Sequence, residues 1–158
     1  MIDHITFGVT DFDRSTRFYD RAFAPLGVTR LFDVPPEHAG DVQATGYGDN
    51  RPWFWIAEQD ATRGKLHVAL IAASRGAVDA FYSAALAAGG RDNGAPGLRP
   101  HYHSEYYGAF VLDPDGHNIE AVCHPPRVKD PKSPPPPPAP ASSPQGARDT
   151  PHSHEYRY

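Results

Sequence analysis

His4, His67 and Glu120 are the residues of this chain whose types and positions together suit a divalent metal ion. Each histidine leads a short apolar run, His4-Ile5-Thr6-Phe7-Gly8-Val9 and His67-Val68-Ala69-Leu70-Ile71. Glu120 stands in a strand-like stretch of mainly apolar and small residues, His117 to Cys123. An ionised carboxylate inside a sheet is costly unless a cation neutralises it. Two imidazoles and one carboxylate bind first-row divalent ions well, and three protein ligands leave positions open for substrate or water. Each residue alone also fits a plainer role, as a bonded core histidine or as a glutamate paired with Arg63 or Arg99.

A repeat strengthens the metal reading. Sliding residues 4–27 onto 67–90 aligns His4 with His67, Phe18 with Phe81, Tyr19 with Tyr82, Ala22 with Ala85, Ala24 with Ala87 and Gly27 with Gly90. One offset held across a strand and a helix is the trace of an internal duplication. It puts the two histidines on equivalent strands, near the pseudo-twofold axis of the pair.

Other residues could act beside such a centre. The stretch Arg99 to Tyr107 collects protonatable groups, with His103 or Tyr106 a candidate acid/base and Arg99 a candidate partner for a substrate carboxylate. Trp53 and Trp55 alternate onto one side of their strand and could wall an apolar or planar ligand. His117, at a turn, and His124, at a strand end, are expected to face solvent, and Cys123 to be inert packing.

The elements that position these residues read as βαβββ, twice. Strands are expected at Ile2 to Val9, Thr29 to Val34, Asp41 to Gly46 and Pro52 to Ala57, with turns at Pro35-Pro36 and Tyr47 to Asn50. Asp11 or Asp13 can cap a first helix that Gly27 stops, and Ser74 a second that Gly89-Gly90 stops. Leu66 to Ala72, Tyr106 to Leu112 and His117 to Cys123 read as strands, and Arg91 to His103 as a loop-rich stretch with room for a short strand. Asp113-Pro114-Asp115-Gly116 is a tight turn. Single helices between runs of strands argue for an α+β fold.

Composition narrows the class. A net charge of -4 and the absence of a Lys/Arg run disfavour a nucleic-acid partner. One cysteine among 158 residues excludes an internal disulfide. No apolar run approaches membrane-spanning length, so a soluble cytoplasmic protein is expected. Residues 125–158 hold 11 of the 18 prolines and few large aliphatics, and read as a Pro-rich disordered tail.

The histidine leading each repeat, with Asp113-Pro114-Asp115-Gly116-His117-Asn118-Ile119-Glu120, resembles the glyoxalase/bleomycin-resistance/dioxygenase superfamily, the vicinal oxygen chelate fold. The resemblance covers residues 1–124, with module 1 at about 1–60 and module 2 at about 61–124. It implies paired βαβββ modules forming an open, cup-shaped mixed sheet around one divalent ion, often in a homodimer. It also implies that His4, His67 and Glu120 match ligand positions of the family. Glyoxalase I adds a glutamate on the last strand of its first module; here that strand reads Pro52-Trp53-Phe54-Trp55-Ile56, with Glu58 several residues late. The remaining set is closer to that of extradiol dioxygenases or fosfomycin-resistance enzymes, and Fe, Mn, Zn or Ni would fit it. The expected activity is metal-dependent lyase, isomerase or dioxygenase chemistry on a small substrate with vicinal oxygens. The rival expectation is metal-free drug or metabolite binding, as in bleomycin-resistance proteins.

Overall fold

Helix α1 (Phe12–Phe23) starts where the Asp11 carboxylate accepts the Arg14 backbone N–H at 2.9 Å. It passes into a 3-10 turn, Ala24–Leu26, which Gly27 ends at φ 73°. Helix α2 (Arg75–Ala87) starts on the Ser74 hydroxyl in the same way, at 3.2 Å from the Ala77 N–H. Around the helices run the strands β1 (Ile5–Val9), β2 (Thr29–Asp33), β3 (Ala44–Gly48), β4 (Pro52–Glu58), β5 (His67–Ile71), β6 (Arg91–Leu98), β7 (Tyr107–Leu112) and β8 (Asn118–Cys123). The structure, a computed structural model, describes residues 2–35, 42–64 and 66–124. The tail expected at 125–158 lies outside the described residues.

The two halves repeat one topology. Strand order is β1-β4-β3-β2 in the first sheet and β5-β8-β7-β6 in the second, with β1–β4 and β5–β8 parallel and the other pairings antiparallel. Each module is therefore a four-stranded mixed sheet with one helix, and the fold is α+β as expected. The paired Phe18 and Phe81, and Ala22 and Ala85, are all fully buried. The modules meet through the helices, α1 against α2, and share one hydrophobic core. Its densest part is aromatic: Phe7, Tyr19, Phe23, Tyr47 and Phe54 pack ring to ring at 4.9–6.3 Å. Burying a large apolar side chain contributes roughly 1.5–3 kcal/mol, so this cluster is a main source of cohesion. No described helix is long and apolar enough to cross a membrane.

Three local expectations need correction. Tyr47 and Gly48 end β3 rather than forming a turn, because the fully buried Tyr47 ring belongs to the aromatic core. Arg91–Leu98 is a strand of 8 residues, longer than the short one that its loop-rich sequence, RDNGAPGL, suggests. It lies at the sheet edge, where register breaks at Asp92/Gly94 and Gly94/Gly97 and a proline are tolerated. His117 is not solvent-facing. It is 3% exposed and bonded to Asp113, which is fully buried.

That pair sits in the Asp113–Gly116 turn and ties the modules together. Asp113 Oδ2 accepts the Tyr19 hydroxyl of α1 at 2.6 Å and His117 Nδ1 at 2.9 Å. Asp113 Oδ1 accepts the backbone N–H groups of Asp115 at 3.0 Å and His117 at 2.7 Å. His117 Nε2 meets the Thr62 carbonyl at 3.3 Å, so both ring nitrogens face acceptors and the imidazolium is the form that satisfies them. Asp115 adds a second tie to module 1, accepting from the Thr10 hydroxyl, the Thr10 N–H and Arg14. Burial opposes ionisation of Asp113, yet the His117 and Tyr19 hydrogen bonds outweigh it and hold the carboxyl below its ordinary value. Burial likewise opposes charging His117, and the Asp113 carboxylate outweighs that, raising its pKa above 6.5.

The pH dependence follows by linkage. The His117 contribution to stability is complete below the unfolded histidine pKa and is lost as pH rises through the raised folded value. The Asp113 contribution is present above the unfolded carboxyl pKa and is lost as pH falls through the lowered folded value. Urea unfolding should therefore give a stability maximum between acid and neutral pH. Asp113→Asn should cost about 3–5 kcal/mol at that maximum and flatten both flanks.

Candidate metal and substrate site

His67 and Glu120 are the predicted site residues that meet. Parallel pairing of β5 with β8 sets His67 beside Asn118 and Ala69 beside Glu120, which puts both side chains on one face of the second sheet. His67 Nε2 lies 2.9 Å from Glu120 Oε2. Glu120 is 1% exposed, while the His67 side chain is 46% exposed and forms the open side of the pair. Tyr106 donates its hydroxyl to the other carboxylate oxygen, Oε1, at 2.6 Å. Burial and that bond push the Tyr106 phenol well above its ordinary value, so at neutral pH it remains a donor.

His67 and Glu120 suit a divalent ion in kind and spacing as two of its ligands. Two cis ligands at about 2.1 Å from a metal stand roughly 3 Å apart, close to the His67–Glu120 separation. Tyr106 engages only Oε1, which leaves Oε2 as the oxygen turned toward the imidazole.

His4 is not brought to this pair within the chain. It precedes β1, which starts at Ile5 rather than at Ile2, and its side chain is 56% exposed with Nδ1 2.8 Å from Asp3. Among the described residues no group of three or more His, Cys, Asp or Glu is placed to hold a metal ion. The first module has no carboxylate at the position equivalent to Glu120. Thr6 pairs with Trp55 as Ala69 pairs with Glu120, so the tryptophan occupies that place. Trp55 packs edge-on against Phe32 at 6.1 Å, and both Trp53 and Trp55 are half-buried on the face opposite the core residues Phe54 and Ile56. A cavity of about 530 Å³ opens elsewhere, lined by Phe12, Arg30, Asp33 and Gln43 among others, with no histidine among its described lining residues.

His103 pairs with His124 rather than with Glu120, Nε2 to Nδ1 at 3.0 Å. Its Nδ1 accepts the Glu105 N–H at 3.2 Å, so in the neutral ring Nε2 carries the proton and donates it to His124. Both rings pack against Tyr106, at 5.3 and 5.2 Å. His124 is exposed as expected, but its part in this pair was missed in the sequence, because nothing local announces a contact across 21 residues. Arg99 lies over the Phe110 ring at 5.4 Å, and Phe110 is 6.0 Å from the His67 ring. Cys123 is half-buried.

A model of the Glyoxalase/Bleomycin resistance protein/Dioxygenase superfamily matches residues 1–121. Among solved structures, a glyoxalase/bleomycin resistance protein from Albidiferax ferrireducens T118 is 30% identical, with TM-score 0.61, covering 78% of this chain and 98% of that one. FosX, a genomically encoded fosfomycin resistance protein from Listeria monocytogenes, is 20% identical with TM-score 0.59, covering 79% of this chain and 93% of that one. A mutant of FosX was solved with Mn(II) and 1S,2S-dihydroxypropylphosphonic acid. Glyoxalase I from Zea mays is 20% identical with TM-score 0.58, covering 77% of this chain and 43% of the maize chain. At 20% identity the last two show a shared fold. No curated protein matches the sequence.

The close approach of Glu120 and Tyr106 depends on Gly108. A Cβ there would stand 2.9 Å from Glu120 Oε1 and 3.2 Å from the Tyr106 ring. Tyr106→Phe should cost about 1–3 kcal/mol in urea unfolding, by leaving a buried carboxylate oxygen without its donor. Gly108→Ala should cost about as much through overpacking. A crystal structure of Gly108→Ala should show the Glu120–Tyr106 hydrogen bond broken or lengthened.

Proposed function

Since the chain belongs to the glyoxalase/bleomycin resistance/dioxygenase superfamily, we propose that it is a metal-dependent enzyme acting on a small substrate with vicinal oxygens. The observation that carries this reading is the buried Glu120 carboxylate held 2.9 Å from an open-faced imidazole, at the spacing of two cis ligands. His67 Nε2 and Glu120 Oε2 would hold the ion, with His4 as third ligand supplied by a second copy of the chain. Exposed apolar side chains on both sheets, Phe32 at 50% and Ile71 at 78%, support a homodimer. A divalent ion held there supplies Lewis acidity toward two substrate oxygens.

The remaining work falls to this chain's own groups. Tyr106 fixes the Glu120 carboxylate through Oε1 and, kept protonated, does not compete as an anion. His103 passes its Nε2 proton toward His124 Nδ1, which makes the pair a proton carrier at the edge of the site. This residue set suits glyoxalase-like lyase or isomerase chemistry and extradiol-like dioxygenase chemistry, with Fe, Mn, Zn or Ni as the ion.

A second reading, metal-free binding of a drug or metabolite, is favoured by one observation: His67 and Tyr106 each engage one of the two Glu120 carboxylate oxygens. Trp53 and Trp55 would then form the ligand wall. Tight binding of a planar ligand to chelator-treated protein, undiminished in Glu120→Ala, would establish that reading.

Elemental analysis separates the two. About one divalent ion per chain is expected, falling to near zero in His67→Ala and Glu120→Ala. His4→Ala should lose it too. Refolding a mixture of His4→Ala and Glu120→Ala chains should recover about a quarter of the wild-type metal, since each mixed dimer rebuilds one intact site. No recovery would exclude a shared site, and metal retained in His67→Ala would exclude the ligand set.

A further inference from the structure

We infer that Arg99 makes this site selective for substrates that carry a carboxylate beside their vicinal oxygens; the inference deepens the metal-centred reading and rests on it. The Arg99 guanidinium is fixed in place. Its Nη2 donates to the Ala95 carbonyl at 2.6 Å and its Nη1 to the Leu98 carbonyl at 3.3 Å. Its Cζ lies 5.4 Å over the Phe110 ring. The sheet is bare beneath it: a Cβ at Gly97 would stand 3.0 Å from Nη1, and one at Gly94 would stand 3.5 Å from Nη2. Two glycines and an aromatic floor let the planar group lie against the sheet.

The location ties this cation to the site. Across the second sheet Gly94 pairs with Phe110, Phe110 with Glu120, and Glu120 with Ala69. Directly paired residues share a face, so Arg99, Phe110, Glu120 and His67 form one continuous surface. The Phe110 ring touches both ends, 5.4 Å from the guanidinium and 6.0 Å from the His67 ring.

Among the described residues no carboxylate lies within ion-pair distance of Arg99, whereas neighbouring Arg75 is engaged by Glu105. A guanidinium has five N–H donors in a fixed fork, and two backbone carbonyls leave most of them unused. A half-buried, pre-ordered and uncompensated guanidinium is built for a bidentate anion. A single guanidinium matches a monoanionic carboxylate better than a doubly charged phosphate.

The test uses two chelating probes that differ in one group, protocatechuate and 4-methylcatechol, titrated calorimetrically under argon into the full-length Mn2+-loaded chain. Wild-type protein should bind protocatechuate at least about tenfold more tightly, as one charge-assisted pair predicts. Arg99→Gln should bring the two probes within about twofold, with Mn2+ and 4-methylcatechol affinities unchanged, and Arg99→Lys should restore part of the preference. Equal affinities in wild type, a preference that survives Arg99→Gln, or no protocatechuate binding at millimolar concentration would each overturn the inference. Binding of Mn2+, Fe2+, Zn2+ and Ni2+ is titrated separately. If the chain takes up none of Mn2+, Fe2+, Zn2+ and Ni2+, the metal-centred reading fails by itself, and the same probes on metal-free protein decide the role of Arg99 by the same criterion.

Discussion

The buried Asp113 carboxylate is the constraint on which the arrangement of the two modules depends. It takes four donors, two from its own turn's backbone, one from Tyr19 of the first module and one from His117. A carboxylate with no water has to be satisfied in full, and only one placement of the turn against α1 achieves that. No strand pairing joins the two sheets among the described residues, so helix packing and this turn together set how they face. The turn also launches β8, and its position sets the register that carries Glu120 to the middle of the second sheet. The Asp-Pro-Asp-Gly motif therefore acts as a staple that positions the site from outside it.

Within the second sheet, a charged residue is tolerated in a strand because its neighbours are asymmetric. Ala69 is small on one side, Gly108 is diagonal to it, and His67 and Tyr106 reach over to the two carboxylate oxygens. The first sheet has the same topology and none of this machinery: Trp55 takes the equivalent position and packs edge-on against Phe32. Duplication produced two frames, and only one of them carries the carboxylate.

On the proposed reading, the open face of His67 would link function to assembly. The sheet surface that bears the pair also bears exposed Ile71, and the first sheet exposes Phe32 beside its tryptophans. Such faces lose solvent-exposed apolar area when covered, and covering them with the first sheet of another copy would bring a His4 within the same apolar surroundings.

Local sequence determined most of the fold: the Asp11 and Ser74 caps, the helical spacing of Tyr19, Ala22 and Phe23, the Gly27 stop and the 113–116 turn all act within a few residues. It also showed that Glu120 needed a partner, because a carboxylate in an apolar strand carries that requirement wherever the strand goes. Which partner it meets was decided by tertiary structure. His4 and His67 are alike in sequence context, yet one bonds to exposed Asp3 and the other to Glu120, since parallel pairing of β5 with β8 puts His67 on the carboxylate's face. His117 looks like a surface turn residue until Tyr19 and Thr62 close over Asp113 and its imidazole. RDNGAPGL is a strand only because β7 offers it an edge. In each case the deciding contact joins residues distant along the chain, and pairing register, which local propensity does not encode, selects it.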